Sequence, residues 1–501
     1  MKRQRGHGQH SSCSSCCSCE HYGRRAFLGR LGAAGGSALA LKMGLFGAAT
    51  AEVLGAARAA GAGEKPVIRV AFSREDVESY FMGWPGAAYD IAASQQRYIE
   101  IMKGAAERLG LALDITGEPL TTAEEGEAFA AETVEKEPLG ALLVVTSLNT
   151  GWPAVQGFLE NRGELPTLVF APQGMQFTPH LQPYRTMPRV FVGTTQHVEW
   201  LETAMGMFQA MWRMKSTRMA TIAGDEEREE TLAPLGTVLH HMPLAYFAEL
   251  YDGTADCAEA EEIAAAYTRG AEDIVEPDQA EILEAARTYV ANRQLMEAKG
   301  CHAVTMDCLG LVTARRTPPP CMAYLQLMNE GTCGACERDV PAALSLLLSS
   351  YLLGKPAFLH NPSPNTVHNT YMGAHCTAPT KMDGFDAEES PYILRSHHES
   401  DLGVAPQVIL REEQEVTLMK FINPGSLMAA SGKILTNIET QPDDGVGGCR
   451  TAFEMTVDGV TDSRDIRGHH NVLIYGNHLP MLRAYCQFAG IEASHIAGGP
   501  M

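Results

Sequence analysis

Two spacings of apolar residues alternate along the first two thirds of the chain. Val67 to Phe72 reads Val-Ile-Arg-Val-Ala-Phe, a run suited to a buried strand, and Ile99, Met102, Ala106 and Leu109 then recur at helical spacing. Leu111 to Ile115 resumes strand character, and Ala141 to Thr146, Thr167 to Phe170 and Arg189 to Val192 add short β-rich runs. A long helix follows from about Glu199 to Met214, then a strand at Met219 to Ile222, a helix from Gln279 to Glu297 and a strand at His302 to Asp307. Strands alternating with helices in this way predict open, mostly parallel α/β sheets.

Beyond about Lys355 the pattern changes. Val416 to Phe421, Lys433 to Thr436, Ala452 to Val457 and Val472 to Tyr475 are strand-like, and Phe453, Met455 and Val457 alternate with Ala452, Glu454 and Thr456. That alternation is expected of a half-buried antiparallel strand, so this third reads as a β-rich barrel or sandwich. A closing helix spans Met481 to Ala489, with Leu482, Tyr485, Cys486 and Ala489 on one face. At roughly 150 residues per domain, 501 residues suit about three domains. The expected architecture is two Rossmann-like open α/β domains, 61–197 and 198–355, followed by a β-barrel-like domain, 356–501.

The first 60 residues read as an address. Arg24-Arg25-Ala-Phe-Leu follows a polar stretch and precedes a weakly apolar, Gly- and Ala-rich run from Leu31 to Leu54, the order of a twin-arginine export signal. Cleavage after Ala59 or a residue later predicts an exported, periplasmic or extracytoplasmic protein with no stable membrane association afterwards; a disordered basic tail on a cytoplasmic protein is the alternative. Cys13, Cys16, Cys17 and Cys19 would leave with the signal.

The formal net charge of −21 argues against a nucleic-acid partner, because a phosphate backbone is bound largely by clustered Lys and Arg. Small neutral substrates and metal cations suit it better. Neither a Gly-x-Gly-x-x-Gly turn nor a Walker loop stands at a strand end. Nine cysteines remain after residue 60, an odd number spread through apolar segments, which argues against a complete disulfide framework. Cys333-x-x-Cys336 reads as packing cysteines rather than a redox pair.

Candidate chemistry gathers after residue 300. Asp339 and Pro341 open a Leu-rich helix that Gly354 and Pro356 close, and Glu337 lies in the loop just ahead of it. A carboxylate there can hold a cation or take a proton from carbon. His375 follows Gly373-Ala374, and His469-His470 follows Gly468 just before a strand, both suitable places for imidazole ligands. His397-His398-Glu399 forms a polar loop suited to sugar hydroxyls or to plain solvation. Arg315-Arg316 before Pro318-Pro319-Pro320 reads as a rigid exposed turn.

In order along the chain, Met306-Asp307-Cys308-Leu309, Cys336-Glu337-Arg338-Asp339, the stretch Asn365 to Cys376 ending Gly-Ala-His-Cys, and Gly468-His469-His470-Asn471-Val472 resemble the L-fucose isomerase and L-arabinose isomerase superfamily. The resemblance covers about residues 280 to 492. It implies two α/β units and a β-barrel, a homo-oligomer with sites near subunit interfaces, and aldose–ketose interconversion with a divalent metal, usually Mn²⁺. It implies Glu337 as a metal ligand that also serves in acid/base catalysis and His470 and His375 as further ligands; Asp307, His398 and His469 are the candidate contacts to the substrate. Family enzymes carry a second carboxylate on the strand after the Leu-rich helix. That place holds Leu359-His360-Asn361-Pro362 here, which leaves His360 as the expected substitute, facing the metal and either ligating it or relaying a proton. Two functions follow from the sequence: a metal-dependent sugar isomerase acting through an enediolate, or an exported non-catalytic carbohydrate-binding protein on the same scaffold.

Overall fold

The computed structural model describes residues 65–501 apart from 76, 78, 82–87, 148–150, 172–181, 185, 196 and 440–448. The export signal expected in residues 1–60 lies outside the described residues. Among those described, no helix is long and apolar enough to cross a membrane.

The first sheet is wholly parallel. Strands β1 (Val67–Ser73), β4 (Ala112–Ile115), β5 (Gly140–Val145), β6 (Thr167–Ala171) and β7 (Val190–Thr194) lie in the order β4-β1-β5-β6-β7, while β2 (Ser79–Phe81) and β3 (Ala88–Asp90) pair as a separate antiparallel ribbon. Helices α1 (Ile91–Leu109), α2 (Ala123–Glu135), α3 (Trp152–Asn161) and α4 (Trp200–Ser216) connect and follow these strands. Both faces are covered, which is why its strands read as continuous apolar runs. Phe72, Leu142, Val144 and Phe170 pack in one cluster with Met102 of α1 and Phe208 of α4. Ala71, Leu143, Val145 and Val169 pack on the other side with Phe129 of α2 and Phe158 of α3.

The second sheet has the order β13-β12-β8-β10-β9, built from β8 (Arg218–Ile222), β9 (Arg228–Leu232), β10 (Thr237–Met242), β12 (Ala303–Met306) and β13 (Cys333–Ala335). All its pairings are parallel except that of β9 with β10. Helices α5 (Leu244–Asp252), α6 (Ala258–Gly270), α7 (Gln279–Lys299), α8 (Cys308–Thr313), α9 (Cys321–Asn329) and α10 (Val340–Leu348) accompany it. Capping works as the sequence suggests: the Asp339 carboxylate accepts from the Ala342 N–H at the start of α10, and the chain leaves through a wide turn, Ser349–Leu353, to a left-handed Gly354.

The C-terminal strands close on themselves. The antiparallel strands β18 (Glu415–Asn423), β21 (Asn471–Tyr475), β14 (Phe358–Asn365), β15 (Thr370–His375), β20 (Thr451–Val457) and β19 (Ser426–Asn437) follow one another around a six-stranded barrel, shut by the β18–β19 pairing. Closure removes the free edges that a sheet of this length would otherwise expose. Strand β22 (Glu492–His495) adds in parallel to β19, and a small sheet of β11 (Asp273–Ile274), β16 (Tyr392–Arg395) and β17 (Ala405–Val408) stands beside the barrel. The alternation read in 452–457 is met in part in β20: Phe453 and Met455 are fully buried and Thr456 is exposed, but Ala452 is buried too and Val457 only half-buried.

Contacts between segments distant along the chain join these parts. The Ser345 hydroxyl of α10 accepts from the Phe421 N–H of β18 at 2.8 Å, docking the helix onto the barrel. The last helix, α11 (Leu479–Ala489), reaches back to the first sheet, where Phe488 meets Phe208 edge-on at 4.8 Å and the Gln487 carbonyl accepts from the Arg189 N–H. The sequence alone does not reveal this return of the C-terminus, because the apolar face of α11 carries no label for its partner.

Candidate metal centre

Two parallel strands of the second sheet end side by side at the site. β12 runs into Asp307 and β13 into Cys336-Glu337, the carboxyl ends where open α/β sheets ordinarily bind ligands. The Glu337 turn is tight and unusual. Both Glu337 (φ 55°) and Arg338 (φ 56°) are left-handed, a conformation that costs a non-glycine residue roughly 1 to 2 kcal/mol. Backbone bonds hold it, from Arg338 N–H to the Met306 carbonyl and from Asp339 N–H to the Cys336 carbonyl. The result turns the Glu337 carboxylate away from the sheet and toward the barrel.

The barrel supplies the imidazoles. His375 ends β15 and His470 immediately precedes β21; both are buried. Glu337 lies between them, its Oε1 3.4 Å from His375 Nε2 and its Oε2 3.5 Å from His470 Nε2. These separations exceed a good hydrogen bond, and both Nε2 atoms are buried without a hydrogen-bond partner. The His375 and His470 rings sit 5.3 Å apart. Exposed His469 packs its ring 4.1 Å from that of His470, and ligand atoms of Glu337, His469 and His470 all fall within 4.8 Å of one another. At Gly468, φ is +104° and an added Cβ would strike the Asn471 side chain, so only glycine makes this turn into the histidine pair.

Behind His470 stands a charged relay. Its Nδ1 meets Asp339 Oδ2 at 2.9 Å, and the same oxygen accepts from Lys420 Nζ at 2.7 Å. The carboxylate thus orients the ring so that Nε2 faces Glu337, the arrangement by which outer carboxylates fix metal-ligating histidines. The electrostatics agree. The His375 and His470 imidazoles hold the Glu337 carboxyl well below the usual carboxylate range, overcoming its burial. Burial alone would raise Asp339, but His470, Lys420 and the Ala342 N–H draw it down to about 2. Burial would lower His470, yet Asp339 and Glu337 outweigh it and raise the ring above its ordinary value. His375 falls below its ordinary value because desolvation exceeds the pull of Glu337.

Of the residues expected from sequence, Glu337 and His470 share a cluster of potential ligand atoms with His469, expected as a sugar contact, while His375 stands on the other side of Glu337 outside that cluster. Asp307 is a helix cap, its Oδ1 accepting from the Gly310 N–H. His397 and Glu399, rather than His398, line the adjoining pocket with Glu337 and His375.

His360 requires a correction. It is fully buried inside the barrel, with Nδ1 3.0 Å from the Phe358 carbonyl and Nε2 2.6 Å from the Tyr371 hydroxyl, so neither ring nitrogen is available to an ion. It faces the barrel interior because residues along β14 alternate sides and its aromatic neighbours Phe358, Tyr371 and Phe453 lie there. Burial depresses its pKa to about 3, and the ring stays neutral.

Lys420 was not singled out from sequence. A lone lysine within the apolar run 416–421 was the available signal, since a buried ammonium requires a counter-charge. Asp339 was legible only as a helix cap.

No family model matches the chain, and no curated protein matches it.

Proposed function

We propose that this chain is a metal-dependent aldose–ketose isomerase of the kind its C-terminal motifs resemble, acting on a small sugar or sugar-like substrate. One observation carries the reading: Glu337 stands between His375 and His470, 3.4 and 3.5 Å from their Nε2 atoms, and both of those nitrogens are buried without hydrogen-bond partners. Buried polar atoms are ordinarily satisfied, so such a pair suits a ligand. A carboxylate with neutral imidazoles is a donor set for a divalent first-row cation, and Mn²⁺ is our assignment. Glu337 and His470 would hold it, joined by His375 or His469. When bound, the cation would acidify the substrate's carbon-bound proton and stabilise the enediolate.

The protein's own residues have separable tasks. Glu337 is ionised at neutral pH and would be the acceptor of the C1 or C2 proton, although the depression that keeps it ionised also weakens it as a base. Asp339 and Lys420 hold His470 in place. The pocket beside them, lined in part by His397 and Glu399, is where the hydroxyls of an open-chain sugar would bind.

With this reading go two Rossmann-like domains ahead of the barrel, divided as the sequence suggests, a homo-oligomeric assembly and export by the twin-arginine route. A non-catalytic sugar-binding protein is the second reading. It is favoured by one observation: with both nitrogens of His360 engaged, the site has no substitute base where the resembled enzymes carry their second carboxylate. The two separate in deuterated water. Incubation of the Mn²⁺-loaded protein with a panel of aldoses and ketoses should place deuterium at C1 or C2 of one of them. Sugar binding without exchange would leave only the binder.

A further inference from the structure

Interconverting an aldose and a ketose moves two protons. One passes between C2 and C1, and the hydroxyl proton on O2 has to reach O1. Glu337 can serve the first, but each of its oxygens already faces an imidazole, and the second calls for another acid/base group. The lining of the adjoining pocket holds one more carboxylate, Glu399, and neither Lys nor Arg.

Glu399 is carried by the connection from β16 to β17, residues 396–404, and that loop is anchored at both ends. The Ser396 N–H donates to Glu276 Oε2, and the Arg450 guanidinium donates to the carbonyl and hydroxyl oxygens of Ser396. The Asp401 N–H then donates to the His397 carbonyl at 2.9 Å and turns the chain back. A Cβ at Gly403 (φ 59°) would come within 2.9 Å of Pro319 and 3.0 Å of Pro318, so the far end of the loop lies directly against a wall of the pocket.

The two acid/base groups that the loop gives to the pocket differ in freedom. His397 is 8% exposed, and its Nδ1 is engaged by the Ser400 hydroxyl at 2.9 Å. Glu399 is exposed, and its carboxylate has no hydrogen bond or ion pair among the described residues. Both of its oxygens are open to a substrate hydroxyl.

We infer that Glu399 is a catalytic residue that carries the hydroxyl proton between O2 and O1; the inference rests on the isomerase reading. Glu337 takes the C2 proton of the aldose, the C2–H electron pair becomes the C1–C2 double bond, and the carbonyl π pair withdraws onto O1. Glu399 takes the O2 proton and returns it to O1. The charge left on O2 re-forms a carbonyl at C2, and the C1–C2 π pair takes back at C1 the proton held by Glu337. Both carboxylates end as they began, with no atom or electron gained or lost.

The test compares full-length, Mn²⁺-loaded wild type and Glu399→Gln in deuterated water with a panel of neutral aldopentoses and aldohexoses. Ketose formation and deuterium at C2 of the recovered aldose are measured separately. In Glu399→Gln, ketose formation should fall about 10²-fold or more while deuterium still enters C2 and calorimetric Mn²⁺ affinity is unchanged. Glu399→Asp should regain part of the loss. Equal ketose formation in wild type and Glu399→Gln overturns the assignment and leaves the isomerase reading standing. So does weakened Mn²⁺ binding in the folded variant, which would make Glu399 a ligand, or loss of deuterium exchange in step with ketose formation. Absence of exchange and ketose in wild type itself removes the isomerase reading, and this assignment with it.

Discussion

Asp339 Oδ2 and His470 Nδ1 lie 2.9 Å apart, joining the cap of a helix in the α/β part to the entrance of a barrel strand. One carboxylate therefore does two jobs, since its other oxygen caps α10 through the Ala342 N–H. Lys420 completes the arrangement from a third element, with its side chain 9% exposed against 13% for Asp339.

Replacing one partner of so buried a pair leaves the other charge uncompensated. Lys420→Met should destabilise the fold by about 3 kcal/mol. Asp339→Asn should weaken Mn²⁺ binding about 10- to 100-fold, the usual consequence of losing an outer carboxylate on a ligating histidine. Denaturant titration and calorimetry on the same samples separate the effects. Unchanged Mn²⁺ affinity in folded Asp339→Asn would remove Asp339 from the site.

Glu337→Gln and His470→Ala should each weaken Mn²⁺ binding by roughly one to a few kcal/mol, because each deletes a charged or imidazole donor. His469→Ala and His375→Ala then identify the additional ligand, the larger loss marking it. Equal affinity of wild type, Glu337→Gln and His470→Ala by calorimetry would dissolve the shared centre.

His360 has the opposite signature. His360→Ala removes a buried ring and both its hydrogen bonds, so stability should fall by about 2 to 4 kcal/mol while Mn²⁺ affinity stays the same. The pH dependence has a definite sign. The folded pKa, about 3, lies below the ordinary 6.5, so the unfolded chain takes up the proton first as pH falls. The contribution of this ring to stability is whole above about 6.5 and is lost progressively toward about 3. Chemical denaturation of wild type and His360→Phe across that range should show a shallower decline in the variant. Parallel curves would contradict the burial argument.

Gly373→Ala tests the packing beside that ring. A Cβ at Gly373 would stand 2.5 Å from His360 Cδ2 and would also strike Phe453, both fixed in the barrel interior. Overpacking of this kind costs about 1 to 3 kcal/mol, read as a lowered denaturation midpoint. A variant as stable as wild type would mean that the interior yields more easily than its contacts indicate.

How much was legible beforehand varies with the range of the interaction. The strands at 67–72 and 452–457 and the helix behind Asp339 were readable because period, caps and breakers are local. Hairpin β9–β10 escaped notice because Arg228–Leu232 is polar and exposed, with little apolar signal to mark a strand. Glu337, His375 and His470 were legible singly from their local setting, and only motif resemblance joined them into one site; at His360 the expectation went astray for a different reason. Its place along the chain matched a family position and it shares the inward face of the sheet with Gly373 and His375, but the Phe358 carbonyl and the Tyr371 hydroxyl occupy both its nitrogens, and no local pattern announces those partners.

By itself, the sequence determined the acidic balance, the alternation of strands with helices, the change to β-rich pattern after about residue 355, and which residues had metal-ligating chemistry. Those are properties of composition and short-range spacing. Only the tertiary structure decided that β18 and β19 pair to shut the barrel, that α11 returns to the first sheet, and that Asp339 and Lys420 stand behind His470. Each joins segments distant along the chain through burial and packing, and no local pattern encodes which buried surface will meet which.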